Sequence, residues 1–85
     1  MEERKYKIVL RDGLSVDANA LFDIGAESTY EEAVSTAFKF INDKSNLDLL
    51  KAESMYVRMI IFKKNESCGL DYGSHNRFIT IHKEA

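Results

Sequence analysis

The sequence predicts an α+β domain in which one main amphipathic helix packs on one face of an antiparallel sheet of four to five strands, in the order β-β-α-β-β-β. Segments 5–11 (KYKIVLR) and 77–82 (RFITIH) alternate side chains between two faces, as half-buried strands do. Segment 27–44 instead repeats apolar residues at intervals of three and four, which indicates a helix. A chain of 85 residues leaves room for one core, so residues 1–85 are predicted to form a single domain.

The first two strands are predicted to form a hairpin. Asp12 and Gly13 follow the alternating segment 5–11, and Asp-Gly favours a tight turn because glycine accepts positive φ. Residues 14–22 are then expected to return as the second strand, with a bulge or early exit near Asp17.

The main helix is predicted from Thr29 to about Asp43. Ser28 is the expected N-cap and Glu31 the acid that reaches back to it. The apolar stripe comprises Tyr30, Ala33, Val34, Ala37, Phe38 and Ile41. Residues 45–54 are expected to add one or two helical turns, with Ser45 or Asn46 as cap and Leu47 and Leu50 facing the core.

Three strands are predicted in the last third of the chain. Residues 54–63 and 77–82 are rich in β-branched and aromatic residues. The alternation of Cys68, Leu70 and Tyr72 with smaller or polar residues predicts a further short strand over 67–72, which makes the whole a meander. Cys68 is then a small buried apolar residue and His75 a turn residue.

Composition indicates a cytoplasmic protein, and no cofactor is expected. The chain has one cysteine, so it has no disulfide framework and no Cys-x-x-Cys pair. The charged start MEERKYK is unlike a signal peptide, and no apolar run is long enough to cross a membrane. The net charge of −2 hides an uneven distribution, since residues 12–53 carry −6 and each flank carries +2.

The sequence gives little support for an enzyme or a metal site. A thiolate pair of Cys68 with His75, oriented by Asp71, is the arrangement that nucleophilic catalysis needs, but no nucleophile signature surrounds the cysteine. One cysteine and two histidines, His75 and His82, fall short of a four-ligand zinc set. We therefore expect no catalytic residues and no metal.

The strand patterns divide the predicted sheet into two faces. The face under the helix is apolar, and it comprises Tyr6, Ile8, Leu10, Met55, Val57, Met59, Ile61, Ile79 and Ile81. The opposite face is cationic and aromatic, and it comprises Lys5, Lys7, Val9, Arg11, Tyr56, Arg58, Ile60, Phe62, Phe78, Thr80 and His82. An exposed face with this many apolar residues is expected to be covered by another segment of the chain or by a binding partner.

Three covers are consistent with the sequence. The first is structural: residues 14–27 or the segment around 47–50 fold over the face. The second is a protein partner or a second copy of the chain, with Tyr56, Arg58, Phe62 and Phe78 as contacts. The third is single-stranded nucleic acid, which the acidic pI of about 5.6 disfavours.

The acidic middle of the chain offers a second binding surface. Six acids precede the first base of this segment, Lys39, and such a surface suits a basic groove on a nucleic-acid-handling protein. The candidates for contact are Asp17, Asp23, Glu27 and Glu32. The alternative is an ordinary solvated surface, since acids are common at helix starts.

The stretch GAESTYEEAVSTAFKFI resembles the part of HicB-type antitoxin domains in which a hairpin leads into a helix that begins Thr-x-Glu-Glu-Ala. The matching residues are Thr29, Glu31, Glu32 and Ala33, within residues 5–41. The family's proline-bearing strand end and its C-terminal DNA-binding element have no counterpart. The resemblance implies an antitoxin-like variant of partner binding.

The function predicted from the sequence is therefore non-enzymatic protein binding, as an inhibitor or accessory factor of a larger protein. Single-stranded nucleic-acid binding and an antitoxin-like role are the alternatives.

Overall fold

The computed structural model describes residues 4–52 and 56–84. The strands are β1 (Tyr6–Arg11), β2 (Ala20–Glu27), β3 (Arg58–Lys63), β4 (Ser67–Asp71) and β5 (Phe78–Lys83). The helices are α1 (Tyr30–Asn42) and the single turn α2 (Leu47–Leu50), which follows a 3-10 turn at Lys44–Asn46. The order of the main elements confirms the predicted α+β class.

The five strands form one antiparallel sheet in the order β2-β1-β5-β4-β3. The most regular pairing is between β1 and β5, from Tyr6 opposite Lys83 to Arg11 opposite Phe78. The predicted C-terminal meander is present, since β4 pairs with both β3 and β5. This order of strands in the sheet leaves β2 and β3 at its two edges.

The N-cap of helix α1 lies one residue later than expected. Thr29 is the N-cap, and its hydroxyl accepts from the Glu32 N–H at 3.1 Å and donates to Glu32 Oε1 at 3.0 Å. The prediction of Ser28 with Glu31 is therefore wrong. Neighbouring hydroxyls and neighbouring acids offer two equivalent caps, and the register that buries Ala33 and Ala37 decides between them.

The core lies between α1 and one face of the sheet, which we call the helix side. Its fully buried strand residues are Ile8, Leu10, Cys68, Leu70, Ile79 and Ile81. Leu50 of α2 belongs to the same core, as predicted. The Tyr72 hydroxyl donates to the Leu50 carbonyl at 2.6 Å, which fastens α2 to the end of β4.

The expected tight turn at Asp12-Gly13 is replaced by a loop over residues 12–19. Asn19 closes it, because its backbone N–H and side-chain amide both donate to the Asp12 carboxylate. Strand β2 therefore begins at Ala20, later than predicted. The loop returns across the sheet face opposite the helix, which we call the loop side.

Strand β3 departs from the predicted core row. Met55 lies outside the described residues, and Val57 is half-buried against the core. Met59 and Ile61 stand on the helix side, opposite Leu70 and Cys68, yet they are 37% and 60% exposed. Their predicted burial is wrong because α1 packs mainly on β2, β1 and β5, toward the other edge of the sheet.

The width of a helix explains why Met59 and Ile61 are left uncovered. A helix is about 10 Å across, whereas five strands spaced about 4.8 Å apart span roughly 19 Å. One helix therefore covers about half of the sheet, and α2 is too short to cover the rest.

None of the described helices is long and apolar enough to span a membrane.

Candidate protein-binding edge

Large apolar side chains are exposed along edge strand β3 and just before it. Tyr56 is 71% exposed, Phe62 is 42% exposed on the loop side, and Met59 and Ile61 are exposed on the helix side. We call Tyr56, Arg58, Met59, Ile61 and Phe62 the β3 edge surface. Large apolar side chains that cluster at the surface typically mark an interface.

The main chain of β3 is also exposed to pairing. One side of the strand is bonded to β4, and no strand of the described residues pairs with its other side. The outward N–H and C=O groups of such an edge form a template for a further strand. The β3 edge surface therefore combines main-chain hydrogen-bonding groups with apolar side chains.

Two features shape the loop side of this edge. A Cβ on Gly69 would lie 2.9 Å from Phe62 Cζ and 2.5 Å from Leu14 Cδ1, so both side chains rest directly on the bare glycine backbone. The pairing register of β3 with β4 also shifts between Ile61 and Lys63, which places a bulge at Phe62. Regular strand geometry therefore extends from Arg58 to Ile61.

Cations flank the apolar residues of β3. Arg58 Nη2 lies 3.4 Å from Asp71 Oδ2, and Lys63 Nζ lies 3.0 Å from Glu66 Oε2. Both ion pairs are exposed, and such pairs contribute at most about 1 kcal/mol each. Their main effect is to place charge at both ends of the strand.

The predicted open cationic and aromatic face is largely covered. Thr80 is fully buried and Arg11 is 9% exposed. Arg11 Nε donates to Thr80 Oγ1 at 2.8 Å, and Arg11 Nη1 donates to the Ala18 carbonyl at 2.7 Å, which holds the 12–19 loop over the sheet. The cover is structural, as one alternative expected, but it is a loop rather than a second sheet layer.

The four predicted contacts on the sheet differ in exposure. Phe78 is half-buried in the centre of the sheet, at the start of β5. Tyr56, Arg58 and Phe62 are exposed at the β3 end. Sequence reasoning missed Met59 and Ile61 as surface residues. The signal that could have found them is the run 59–62, which is apolar on both faces of one strand.

The predicted acidic contacts lie at the other end of the sheet. Asp17 is exposed in the 12–19 loop and Asp23 is exposed on edge strand β2. The Glu27 carboxylate accepts from the Thr36 hydroxyl at 2.7 Å, and Glu32 caps α1 as described above. We call these four residues the acidic end. Glu27 and Glu32 therefore also form hydrogen bonds within the fold.

Cys68 lies in the core, as predicted. Its side chain is fully buried and hydrogen-bonds with that of Tyr30, whereas His75 is exposed in the loop before β5. Burial raises the pKa of the Cys68 thiol, and the bond with Tyr30 offsets this only in part. Burial likewise raises the pKa of Tyr30 to about 12. These environments favour the neutral thiol.

We expect Cys68 to react slowly with a thiol reagent at pH 7.5. The native rate should be at least about a hundredfold below the rate in denaturant, because local opening that costs about 2.7 kcal/mol gives this factor. Absorbance of the released aromatic thiol would follow the reaction. Labelling at the rate of an exposed thiol would contradict the buried position.

His82 lies on the loop side between Lys7 of β1 and Ser67 of β4. Its Nδ1 atom is buried and has no hydrogen-bond partner among the described residues. Burial lowers the pKa of His82, the charges of Arg11 and Lys7 lower it further, and Glu84 opposes them. The folded protein therefore favours the neutral imidazole.

Acid should consequently weaken the fold through His82. The unfolded chain takes up this proton first, so the contribution to stability is complete above about pH 6.5 and is lost as the pH falls below that value. We expect His82→Gln to show a smaller drop in Tm between pH 7.5 and 5 than the wild type. His75→Gln is the matched control and should keep the wild-type drop. Equal drops in all three proteins would contradict the assignment.

The described residues contain no group of three or more histidine, cysteine or acidic side chains placed to hold a metal ion.

The similarity of residues 29–33 to a HicB-type helix start coincides with the cap of α1, where Thr29 and Glu32 bond to each other. Comparison of the whole chain with protein-family models, curated proteins and solved structures finds no match.

Proposed function

We propose that this chain is a non-enzymatic protein-binding module whose binding surface is the β3 edge surface. The observation that carries the proposal is the exposure of large apolar side chains on both faces of one edge strand, Met59 and Ile61 on the helix side and Phe62 on the loop side, with Tyr56 exposed two residues before the strand. A partner strand added to β3 would gain main-chain hydrogen bonds, and its side chains would cover Met59 and Ile61. A module of this kind acts as an inhibitor or accessory factor by occupying a surface.

A capture experiment with matched variants tests the proposal. The tagged chain is incubated with lysate of its host at moderate salt with nuclease present, and bound proteins are identified by mass spectrometry. Ile61→Lys should lose the partner, because it places a charge at the centre of the β3 edge surface. Leu21→Lys is the control, since Leu21 is 42% exposed on the opposite edge strand, β2.

The outcomes separate the candidate functions. A stoichiometric protein that binds the wild type and Leu21→Lys but not Ile61→Lys supports the proposal. Retention of that protein by Ile61→Lys would contradict it. Material that is captured only in a parallel incubation without nuclease would instead favour the nucleic-acid alternative, whose affinity should fall steeply with salt.

The acidic end supports a second candidate surface for a larger, basic partner. Its residues lie in the 12–19 loop, on β2 and at the start of α1, and three strands separate β2 from β3, so the two surfaces are separable by mutation. If this surface binds the partner, Asp17→Lys combined with Asp23→Lys abolishes capture and Ile61→Lys does not. Both acids are exposed, so the double variant should fold.

A further inference from the structure

We infer that the acidic end binds an extended, basic segment of a partner protein, which pairs with the outer edge of β2 and places a lysine or arginine side chain in a cavity between β2 and α1. The inference rests on the second candidate surface of the proposed function, and it names the ligand that this surface recognises. It does not depend on the β3 edge surface.

The cavity lies beside α1 at the end of β2. Its volume is about 220 Å³, and it is lined only by polar side chains, those of Glu27, Glu32, Ser35, Thr36 and Lys39. Sites for drug-sized ligands measure about 300–1,000 Å³. This cavity therefore suits one side chain rather than a whole small molecule.

The lining of the cavity has an excess of negative charge. Glu27 and Glu32 contribute two carboxylates, and Lys39 is the one cation in the lining. Among the described residues, neither carboxylate forms an ion pair with Lys39 or with another base. The hydrogen bonds from Thr36 and Thr29 each use one carboxylate oxygen, which leaves the other oxygen of Glu27 and of Glu32 to accept from an ammonium or guanidinium group.

The main chain of β2 can hold an extended segment beside this cavity. At eight residues, β2 is the longest strand of the described sheet, and its outer side is paired with no other strand of the described residues. The outward N–H and C=O groups of such an edge can hydrogen-bond to an added strand. The edge therefore supplies main-chain pairing, and the cavity supplies recognition of one side chain.

An aromatic pair at the other end of β2 defines a second contact. Phe22 is 43% exposed and stacks on Phe40 of α1, with ring centroids 6.0 Å apart. Phe22 and Glu27 stand opposite Leu10 and Tyr6 of β1, which are four residues apart on the helix side. An antiparallel segment on the outer edge of β2 thus needs a basic residue for the cavity and, about four positions later, an apolar residue for the aromatic pair.

The surrounding charge selects a basic partner. Residues 12–38 contain six acids and no lysine, arginine or histidine. A second copy of this edge, or a nucleic acid, would bring further negative charge to it, and like charges in direct opposition destabilise strand pairing. A basic segment is instead attracted, which favours both binding and fast encounter.

Titration of the ¹⁵N-labelled chain with a synthetic peptide tests the inference. The probe is a threonine-rich peptide of eight residues with lysine at the second position and leucine at the sixth. It should shift the amide resonances of Phe22, Glu27 and Thr36 and bind with a Kd between about 10 μM and 1 mM, since one short strand makes the contacts. Glutamate in place of the lysine, or leucine moved to the seventh position, should weaken binding at least about tenfold.

Two double variants test the cavity. Glu27→Gln combined with Glu32→Gln removes both negative charges and keeps both hydrogen-bond acceptors, so it should fold and bind the probe at least about tenfold more weakly. Glu31→Gln combined with Asp48→Asn is the matched control, because it removes two acids that do not line the cavity. It should change the affinity less than about threefold. Circular dichroism checks that each variant is folded.

The results distinguish failure of this inference from failure of the proposed function. A wild type that does not bind the probe at about 1 mM overturns the inference, and so does equal weakening by the two double variants or a set of resonance shifts confined to β3. If the chain still captures a host protein that Ile61→Lys loses, the proposed function stands. If the probe binds at β2 but Ile61→Lys retains the host protein, the β3 edge surface fails and this inference stands.

Discussion

Replacement of Ile81 by alanine should lower the free energy of unfolding by about 2–5 kcal/mol. Ile81 is fully buried in β5, between Ile8 of β1 and Cys68 of β4, and α1 packs over this part of the sheet. The lost methyl and methylene groups leave a cavity that neighbours on two strands cannot fill. A domain of this length has a total stability of about 4–13 kcal/mol, so the loss is a large fraction of it. Urea unfolding followed by circular dichroism measures the change.

Ile61→Ala is the matched control. Ile61 is the same residue type, lies on the same face and also stands opposite Cys68, but from the edge strand β3. Because its side chain is 60% exposed, we expect a loss below about 1 kcal/mol. Equal losses in the two variants would mean that the helix side is covered at β3 as it is at β5.

The difference between these two isoleucines marks the limit of what the sequence predicts. Alternation correctly places Ile8, Leu10, Ile79 and Ile81 in the core, and the three-to-four spacing correctly predicts α1. Both patterns report which face of an element is apolar. They do not report which strands lie under the helix, because that depends on strand order, which is set by pairing between segments far apart in the chain.

Strand order also explains the outcome at the candidate site. Tyr56, Arg58 and Phe62 were predicted as contacts from their side of β3, and they are exposed because β3 is an edge. Phe78 has the same character in sequence but starts the central strand β5, where it is half-buried. The acidic candidates cluster near β2 because they are close in sequence, which local reasoning can anticipate.

The loop over residues 12–19 is harder to predict from the sequence. Asp-Gly favours a two-residue turn, but the Asp12 carboxylate bonds to Asn19 and closes an eight-residue loop instead. The gain that favours the loop is burial on the sheet, where Leu14 rests on Gly69. That contact joins residues 55 positions apart, which no local pattern encodes.

Arg11→Met should release this loop and lower the free energy of unfolding by about 1.5–3 kcal/mol. The methionine retains the apolar stem but removes the guanidinium, which donates to Thr80 Oγ1 and to the Ala18 carbonyl. Both acceptors then lose a charged donor, and the Thr80 hydroxyl is fully buried. We expect faster proteolysis within residues 12–19, measured by mass spectrometry of the fragments, together with a lower urea midpoint.

Arg58→Met separates the loss of these hydrogen bonds from the loss of a positive charge. Arg58 is also an arginine at a strand end, but its ion pair with Asp71 is exposed and long at 3.4 Å. We expect a change below about 1 kcal/mol and unchanged cleavage of the 12–19 loop. If Arg58→Met matched Arg11→Met in both measurements, net charge and not the anchoring of the loop would account for the effect. If only Arg11→Met exposes the loop, the cationic residue that the sequence predicts on an open binding face instead anchors the loop that covers that face.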